Sequence, residues 1–184
     1  MSTEKELDSI LDKEIISEIQ IKQRLKEIAS LIQQDFEGKN PLFIGVLKGA
    51  FVFLSDLLRL IDMELNVDFM AVSSYGTATK TSGVVRILKD LDTDVTNRHV
   101  LVVEDIVDSG LTLAYLKRNL LVRKPASLNI CALLLKEGQQ KVDLDIHYIG
   151  FKIKPSFVVG YGLDIEEKFR NLASIWTLKE GYCD

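Results

Sequence analysis

The stretch VLVVEDIVDSGLTL, Val100 to Leu113, decides how the chain is read. Four apolar residues in a row suit the middle of a buried parallel strand. Glu104 and Asp105 then place two carboxylates at its C-terminal end, and Asp108 adds a third beside Ser109, Gly110 and Thr112. A small-residue turn that opens a helix offers free backbone N–H groups and a partial positive charge. Gly110 permits backbone conformations denied to other residues, and Ser109 and Thr112 add hydroxyl donors. DSGLT is therefore expected to form a cup for a phosphate monoester. Glu104 and Asp105 suit sugar hydroxyls or a hard cation such as Mg²⁺. A ligand carrying a phosphate, a ribose and a metal would use every polar group in the segment.

Outward from this segment, strands and helices alternate. Ser17 and Gln20 form a capping box, followed by Ile21, Leu25, Ile28, Leu31 and Ile32 at helical spacing, with Gly38 as the expected C-cap. PLFIGV, from Pro41, reads as a buried strand, and AFVFLSDLLRLI returns to helical spacing. NVDFMAVSSY and VVRILKDL read as strands around the loop TATKTSG. A helix is expected from about Thr112 to Arg123, followed by the strand SLNICALLLK and the short strands HYIGF and SFVVGYG. The pattern predicts an α/β fold, one domain spanning 1–184, with a mainly parallel central sheet flanked by helices. Its ligands should gather at the carboxyl ends of the strands.

Composition narrows the function. The chain has 184 residues, 47% hydrophobic and 27% charged, with a formal net charge of −4. No general nucleic-acid footprint is present, so an anionic ligand must be held locally. The longest apolar runs are too short to span a bilayer, and MSTEKELDS lacks an apolar signal core, so neither membrane nor export is expected. Two cysteines, Cys131 in a core-like run and Cys183 near the end, argue for a reducing, cytoplasmic setting. Asp92-x-Asp94-x-Thr96 matches a phosphatase motif, but a charged stretch precedes it where a buried strand is needed, so it reads as a polar turn. It also fails as a calcium loop, with Asn97 at the glycine position and Val103 at the bidentate glutamate. LVVED resembles the acidic strand end of a response-regulator receiver, but its mid-chain place argues against that. His99 and His147 lack a nearby cysteine pair, which argues against zinc.

The opening segment resembles the phosphoribosyl pyrophosphate signature of the type I phosphoribosyltransferases. The resemblance runs from about Ile15 to Leu178. Val46-Leu47-Lys48-Gly49-Ala50, Ser73-Ser74-Tyr75-Gly76, Leu135-Lys136 and Phe157-Val158-Val159-Gly160-Tyr161-Gly162-Leu163-Asp164, with Arg170 beyond, resemble the hypoxanthine-guanine branch in the same order. It implies the fold of that family, with a small C-terminal hood built from N- and C-terminal segments. It implies purine salvage: transfer of the 5-phosphoribosyl group to hypoxanthine or guanine, with Mg²⁺ as cofactor, in a homodimer or homotetramer.

The resemblance also assigns roles. The 5′-phosphate would lie in the cup from Asp108 to Thr112, with Glu104, Asp105, Ile106, Val107, Ser109, Gly110 and Leu111 completing the phosphoribosyl site. Glu104 and Asp105 would hold the ribose hydroxyls, directly or through Mg²⁺, and Asp164 would hold a second Mg²⁺ through water and lie near the purine's 2-position as part of the purine site. Asp108 would be the general base at the purine's imidazole nitrogen. Lys48, Gly49 and Arg170 would meet pyrophosphate, in a loop where that family often has a cis peptide before the lysine and where the sequence leaves the peptide's state open. Lys136 would donate to the 6-oxo group, and a donor-only group there disfavours a 6-amino purine. Phe157 would stack on the base, and the Val158 backbone would read its edge. Ser74 and Tyr75 would begin a lid over about 74–83. Relatives of this fold that regulate by binding nucleic acid should be basic on one face and need not keep Lys136, Phe157 and Asp164 together. This acidic chain has all three.

Overall fold

The computed structural model describes residues 10–75 and 84–182. Strands β1 (Leu11–Ile16), β2 (Leu42–Leu47), β3 (Asn66–Tyr75), β4 (Val84–Lys89) and β5 (His99–Val107) enclose helices α1 (Glu18–Phe36) and α2 (Ala50–Leu58). Helix α3 (Leu111–Val122) and strands β6 (Ser127–Lys136), β7 (Tyr148–Ile153), β8 (Val158–Val159) and β9 (Ile175–Leu178) follow. The central sheet has the order β4-β3-β2-β5-β6-β7. Strands β3, β2, β5, β6 and β7 are parallel to their neighbours, and β4 closes one edge antiparallel to β3. A three-stranded antiparallel sheet, β1-β9-β8, joins the two ends of the described chain and forms the expected hood.

Side-chain alternation along buried strands divides the interior into two cores. Phe43, Leu101, Val103, Cys131 and Leu133 pack with α1 and α2 on one face. Leu42, Ile44, Val46, Val100, Val102, Ile130 and Ala132 pack with Leu113, Leu116 and Leu120 of α3 on the other. Full burial of each such aliphatic side chain contributes roughly 1.5–3 kcal/mol before entropy is counted. The hood shares the first core through Ile16, Val158 and Ile175.

The capping box of α1 is present: the Gln20 N–H donates to Ser17 Oγ, and the Ser17 N–H donates to Gln20 Oε1 at 2.8 Å. Its buried face is Ile21, Leu25, Ile28, Ala29, Ile32 and Phe36. Leu31, expected on that face, is 48% exposed, because its position rotates off the stripe that Ala29 and Phe36 extend. Glu37 is the C-cap, and Gly38 follows it at φ 70°. Arg24 reaches from α1 to the edge strand β7, donating to the carbonyls of Gly150 and Ile149 at 3.0 and 2.8 Å. That covers backbone acceptors at a sheet edge.

Other expectations need correction. Helix α2 ends at Leu58, short of Ile61, and the strand expected over SFVVGYG is only Val158–Val159. Gly160 and Gly162 adopt φ of 100° and 98°, which extended strand geometry does not allow. Strand β5 runs through the acidic pair to Val107, beyond the expected end at Val103. The Asp92 to Thr96 stretch is a turn. Asp94 accepts from the Thr96 N–H at 3.0 Å, and buried Asp68 accepts from the N–H groups of Asp92 and Thr93, each at 2.9 Å.

Candidate active site

The chain leaves β2 to pair β3 on one side, while β5, β6 and β7 extend the sheet on the other. The carboxyl ends of β2 and β5 therefore border the point where the strand order reverses, the crevice where open α/β sheets bind ligands. The β2–β5 ladder stops at Gly45–Val103, whereas the β5–β6 ladder continues to Val107–Leu135. Glu104 to Val107 thus lies where β5 has lost its β2 neighbour. Alternation then separates the two acids. Glu104 continues the Val100, Val102 face toward α3, and Asp105 continues the Leu101, Val103 face toward α2. They share a strand tip and serve opposite sides of it.

On the α3 side, a small cleft of about 110 Å³ is lined by Glu104, Ile106, Val107, Asp108, Ser109, Gly110, Thr112 and Leu113. Gly110 is the N-cap of α3 at φ 76°, ψ −3°, a left-handed conformation that favours glycine. A side chain there would also press Leu144 Cδ1. The Ala114 N–H donates to the Gly110 carbonyl, so the preceding first-turn N–H groups have no helical acceptor. Leu111 begins the helix, its N–H 3.5 Å from Ser109 Oγ. The loop after β6 supports this turn, which the sequence reading missed. The Lys141 N–H donates to the Ser109 carbonyl at 2.9 Å, and Gln140 Nε2 to that of Asp108 at 3.2 Å. That loop carries ordinary polar composition, so no sequence signal marks it.

Asp108 is paired with Lys136: Nζ lies 2.8 Å from Oδ2, with the lysine 16% and the aspartate 53% exposed. The expected base and the expected purine reader thus meet at the mouth of the cup. Phe157 is 43% exposed just before β8, and the buried Val158 pairs with Thr177.

On the α2 side, the Leu47–Lys48 peptide is cis, and Gly49 sits against the carboxylate of Asp105. A Cβ at position 49 would overlap Asp105 Oδ2, so this approach requires glycine. Arg170 lies in a turn-rich segment, not a helix. It donates to the Gly162 carbonyl at 2.8 Å and pairs with Asp164 at 2.8 Å and Glu167 at 3.1 Å. Lys48 Nζ also reaches Glu167, at 3.0 Å. Glu167 is a second member of the site that sequence reading missed. Asp164 accepts from the Glu167 N–H at 2.8 Å, which makes it a turn-forming residue.

The electrostatics set these acids apart. Burial, helped by the Asp105 charge next door, pushes the Glu104 carboxyl well above the usual range. Burial likewise raises Asp105 to about 6, against the pull of the Ile106 N–H and of Arg170. The two neighbouring carboxyls therefore both have raised pKa values. Burial also pushes the Cys131 thiol up, which leaves it inert. Ser74 and Tyr75 end the backbone of β3, and the remainder of the expected lid, 76–83, lies outside the described residues.

Comparison with known proteins agrees with this geometry. The profile of the phosphoribosyl transferase domain matches residues 13–166. The chain is 47% identical over 169 residues to the hypoxanthine-guanine phosphoribosyltransferase of Bacillus subtilis, covering 92% of this chain and 94% of that protein. A crystal structure of a hypoxanthine-guanine phosphoribosyltransferase from Bacillus anthracis superposes with a TM-score of 0.88 at 47% identity, over 92% of this chain and 99% of the other. A hypoxanthine phosphoribosyltransferase structure from Staphylococcus aureus gives 0.91 at 42% identity, over 97% and 96%. With its phosphate-sized cup and acidic strand tip at the reversal of strand order, the chain belongs to the phosphoribosyltransferase family, in the hypoxanthine-guanine branch.

Proposed function

We propose that the protein transfers the 5-phosphoribosyl group of phosphoribosyl pyrophosphate to hypoxanthine or guanine, giving IMP or GMP and pyrophosphate. The carrying observation is the Asp108–Lys136 pair at the mouth of the cup. It sets a proton acceptor beside a donor-only group, the pattern a 6-oxo purine complements. The donor's 5′-phosphate lies in the cup, held by the first-turn N–H groups of α3 and the hydroxyls of Ser109 and Thr112. Glu104, at the base of the cup, accepts from ribose hydroxyls. Ile106, Val107 and Leu111 shape the cup by position and backbone.

The bond from the anomeric carbon to pyrophosphate breaks as the purine's imidazole nitrogen bonds to that carbon. Asp108 receives the proton that the purine gives up. Lys136 donates to the 6-oxo group, Phe157 stacks on the ring, and the Val158 backbone reads its edge. Lys48, the Gly49 backbone and Arg170 stabilise the charge developing on the leaving group.

The acids fit Mg²⁺. Glu104, Asp105 and Asp164 offer hard oxygen donors, and burial raises the pKa values of Glu104 and Asp105, which a bound cation would lower again. Among the described residues no three metal-binding side chains converge into a cage. When bound, Mg²⁺ would neutralise pyrophosphate charge. We place the enzyme in the cytoplasm, where a buried free thiol such as Cys131 stays reduced. Among the described residues, no helix is long and apolar enough to cross a membrane. We also propose a homodimer or homotetramer, supported by apolar Ile19 and Phe51 at 81% and 46% exposure on α1 and α2. Light scattering that returned one chain's mass at micromolar concentration would count against it.

A purine panel with phosphoribosyl pyrophosphate and Mg²⁺, read as pyrophosphate release, tests the main reading. Hypoxanthine and guanine are expected to react, with kcat/KM for adenine at least ~100-fold lower because its 6-amino group meets a donor. Equal rates with adenine would remove Lys136 from purine selection. No pyrophosphate release with any purine of the panel would remove the function.

A further inference from the structure

Glu167 stands where two cations converge. Its carboxylate is 3.0 Å from Lys48 Nζ and 3.1 Å from Arg170. Its backbone is fixed as well, since its N–H donates to Asp164 and its φ is 65°. Hydrogen bonds from Lys48 and then Arg170 hold its pKa below the usual range, so it is an anion at neutral pH. Arg170 is only 18% exposed and is also anchored to Gly162 and Asp164. Lys48 and Glu167 are 66% and 62% exposed and free to separate.

Resting on the reading of Lys48 and Arg170 as pyrophosphate cations, we propose that Glu167 is a positioning residue that occupies the leaving-group site in place of pyrophosphate. The incoming donor must displace its carboxylate, and the carboxylate returns as pyrophosphate departs. Two effects oppose each other when Glu167 is removed. Lys48 loses the partner that orders it, which weakens donor binding. The donor is relieved of a competitor and of a like charge beside its own phosphates, which strengthens binding. Arg170 keeps its other anchors, so the ordering loss falls on one exposed lysine, and relief wins.

The experiment uses the full chain with Mg²⁺. Glu167→Gln should lower both the KM for phosphoribosyl pyrophosphate and the product-inhibition constant of pyrophosphate by about 3–10-fold, while the KM for hypoxanthine moves less than about twofold. Glu167→Asn, which tolerates a left-handed backbone better, should do the same and guards against a folding defect in the first variant. A merely structural glutamate would raise these constants when replaced. Lys48→Ala should raise both constants, and in that background the gain from Glu167→Gln should shrink. Unchanged constants in Lys48→Ala would overturn the pyrophosphate reading itself. Weaker binding in Lys48→Ala with unchanged or higher constants in Glu167→Gln would overturn the role of Glu167 alone.

Discussion

Replacing Asp108 with asparagine is expected to lower kcat with hypoxanthine by roughly 10²–10⁴-fold, the usual contribution of a positioned proton acceptor. Asparagine keeps the shape and loses the acceptor of the purine's proton. It also reduces the 2.8 Å ion pair with Lys136 to at most a neutral hydrogen bond, so the lysine's aim at the 6-oxo group loosens. Donor affinity should change little, within about threefold. The cup that holds the 5′-phosphate consists of backbone N–H groups and hydroxyls that the substitution leaves in place. Steady-state turnover and calorimetric titration with phosphoribosyl pyrophosphate separate the two effects. An unaltered kcat would take the proton transfer away from Asp108. A large loss of donor affinity would make the residue a support of the cup.

The second large effect concerns Asp105→Asn, which should stabilise the ligand-free protein at neutral pH and impair it as an enzyme. Burial raises the Asp105 pKa from the usual 3.8 to about 6, so folding favours the protonated acid. Stability from that preference is complete below about pH 4 and is lost as pH rises through 6. At pH 7.5 the ionised aspartate therefore opposes folding by at most about 3 kcal/mol, and its half-buried position trims this to about 1–2 kcal/mol. Asparagine can still accept from the Ile106 N–H, as Asp105 Oδ1 does at 2.7 Å. The variant should melt about 2–8 °C higher at pH 7.5 and no higher at pH 4, by calorimetry. Mg²⁺ with the donor should stabilise the native protein more than the variant, whose kcat/KM should fall roughly 10²-fold or more. A melting point that fell equally at both pH values would make Asp105 an ordinary packing residue.

Much of the fold was legible because periodicity survives burial. The apolar runs at Leu42, Val100 and Ile130 are long enough to be strands and too short to be buried helices, and each became a strand. The capping box at Ser17 fixed the start of α1. Leu31 misled because a helical stripe read from spacing alone does not reveal which edge tertiary packing extends. SFVVGYG misled because its composition suits a strand while the backbone at Gly160 and Gly162 does not. At the site, local motifs were readable and long-range pairings were not. DSGLT announces its own turn, but nothing in the chain tells Lys136 to meet Asp108, or Glu167 to bridge Lys48 and Arg170. Those contacts depend on the order of strands in the sheet and on a C-terminal turn folding back to the loop after β2.

The split assignment of Glu104 and Asp105 limits how this region can vary over evolution. One acid serves each side of the sheet only because they are odd and even neighbours on one extended segment. Conservative exchanges among Val100 to Val103 alter volume and leave the parity intact. Inserting or deleting one residue between Val100 and Glu104 would turn each carboxylate to the wrong side. Length here should therefore be more rigidly preserved than residue identity, and gene libraries that shuffle this strand will survive point changes far more often than frame-preserving indels.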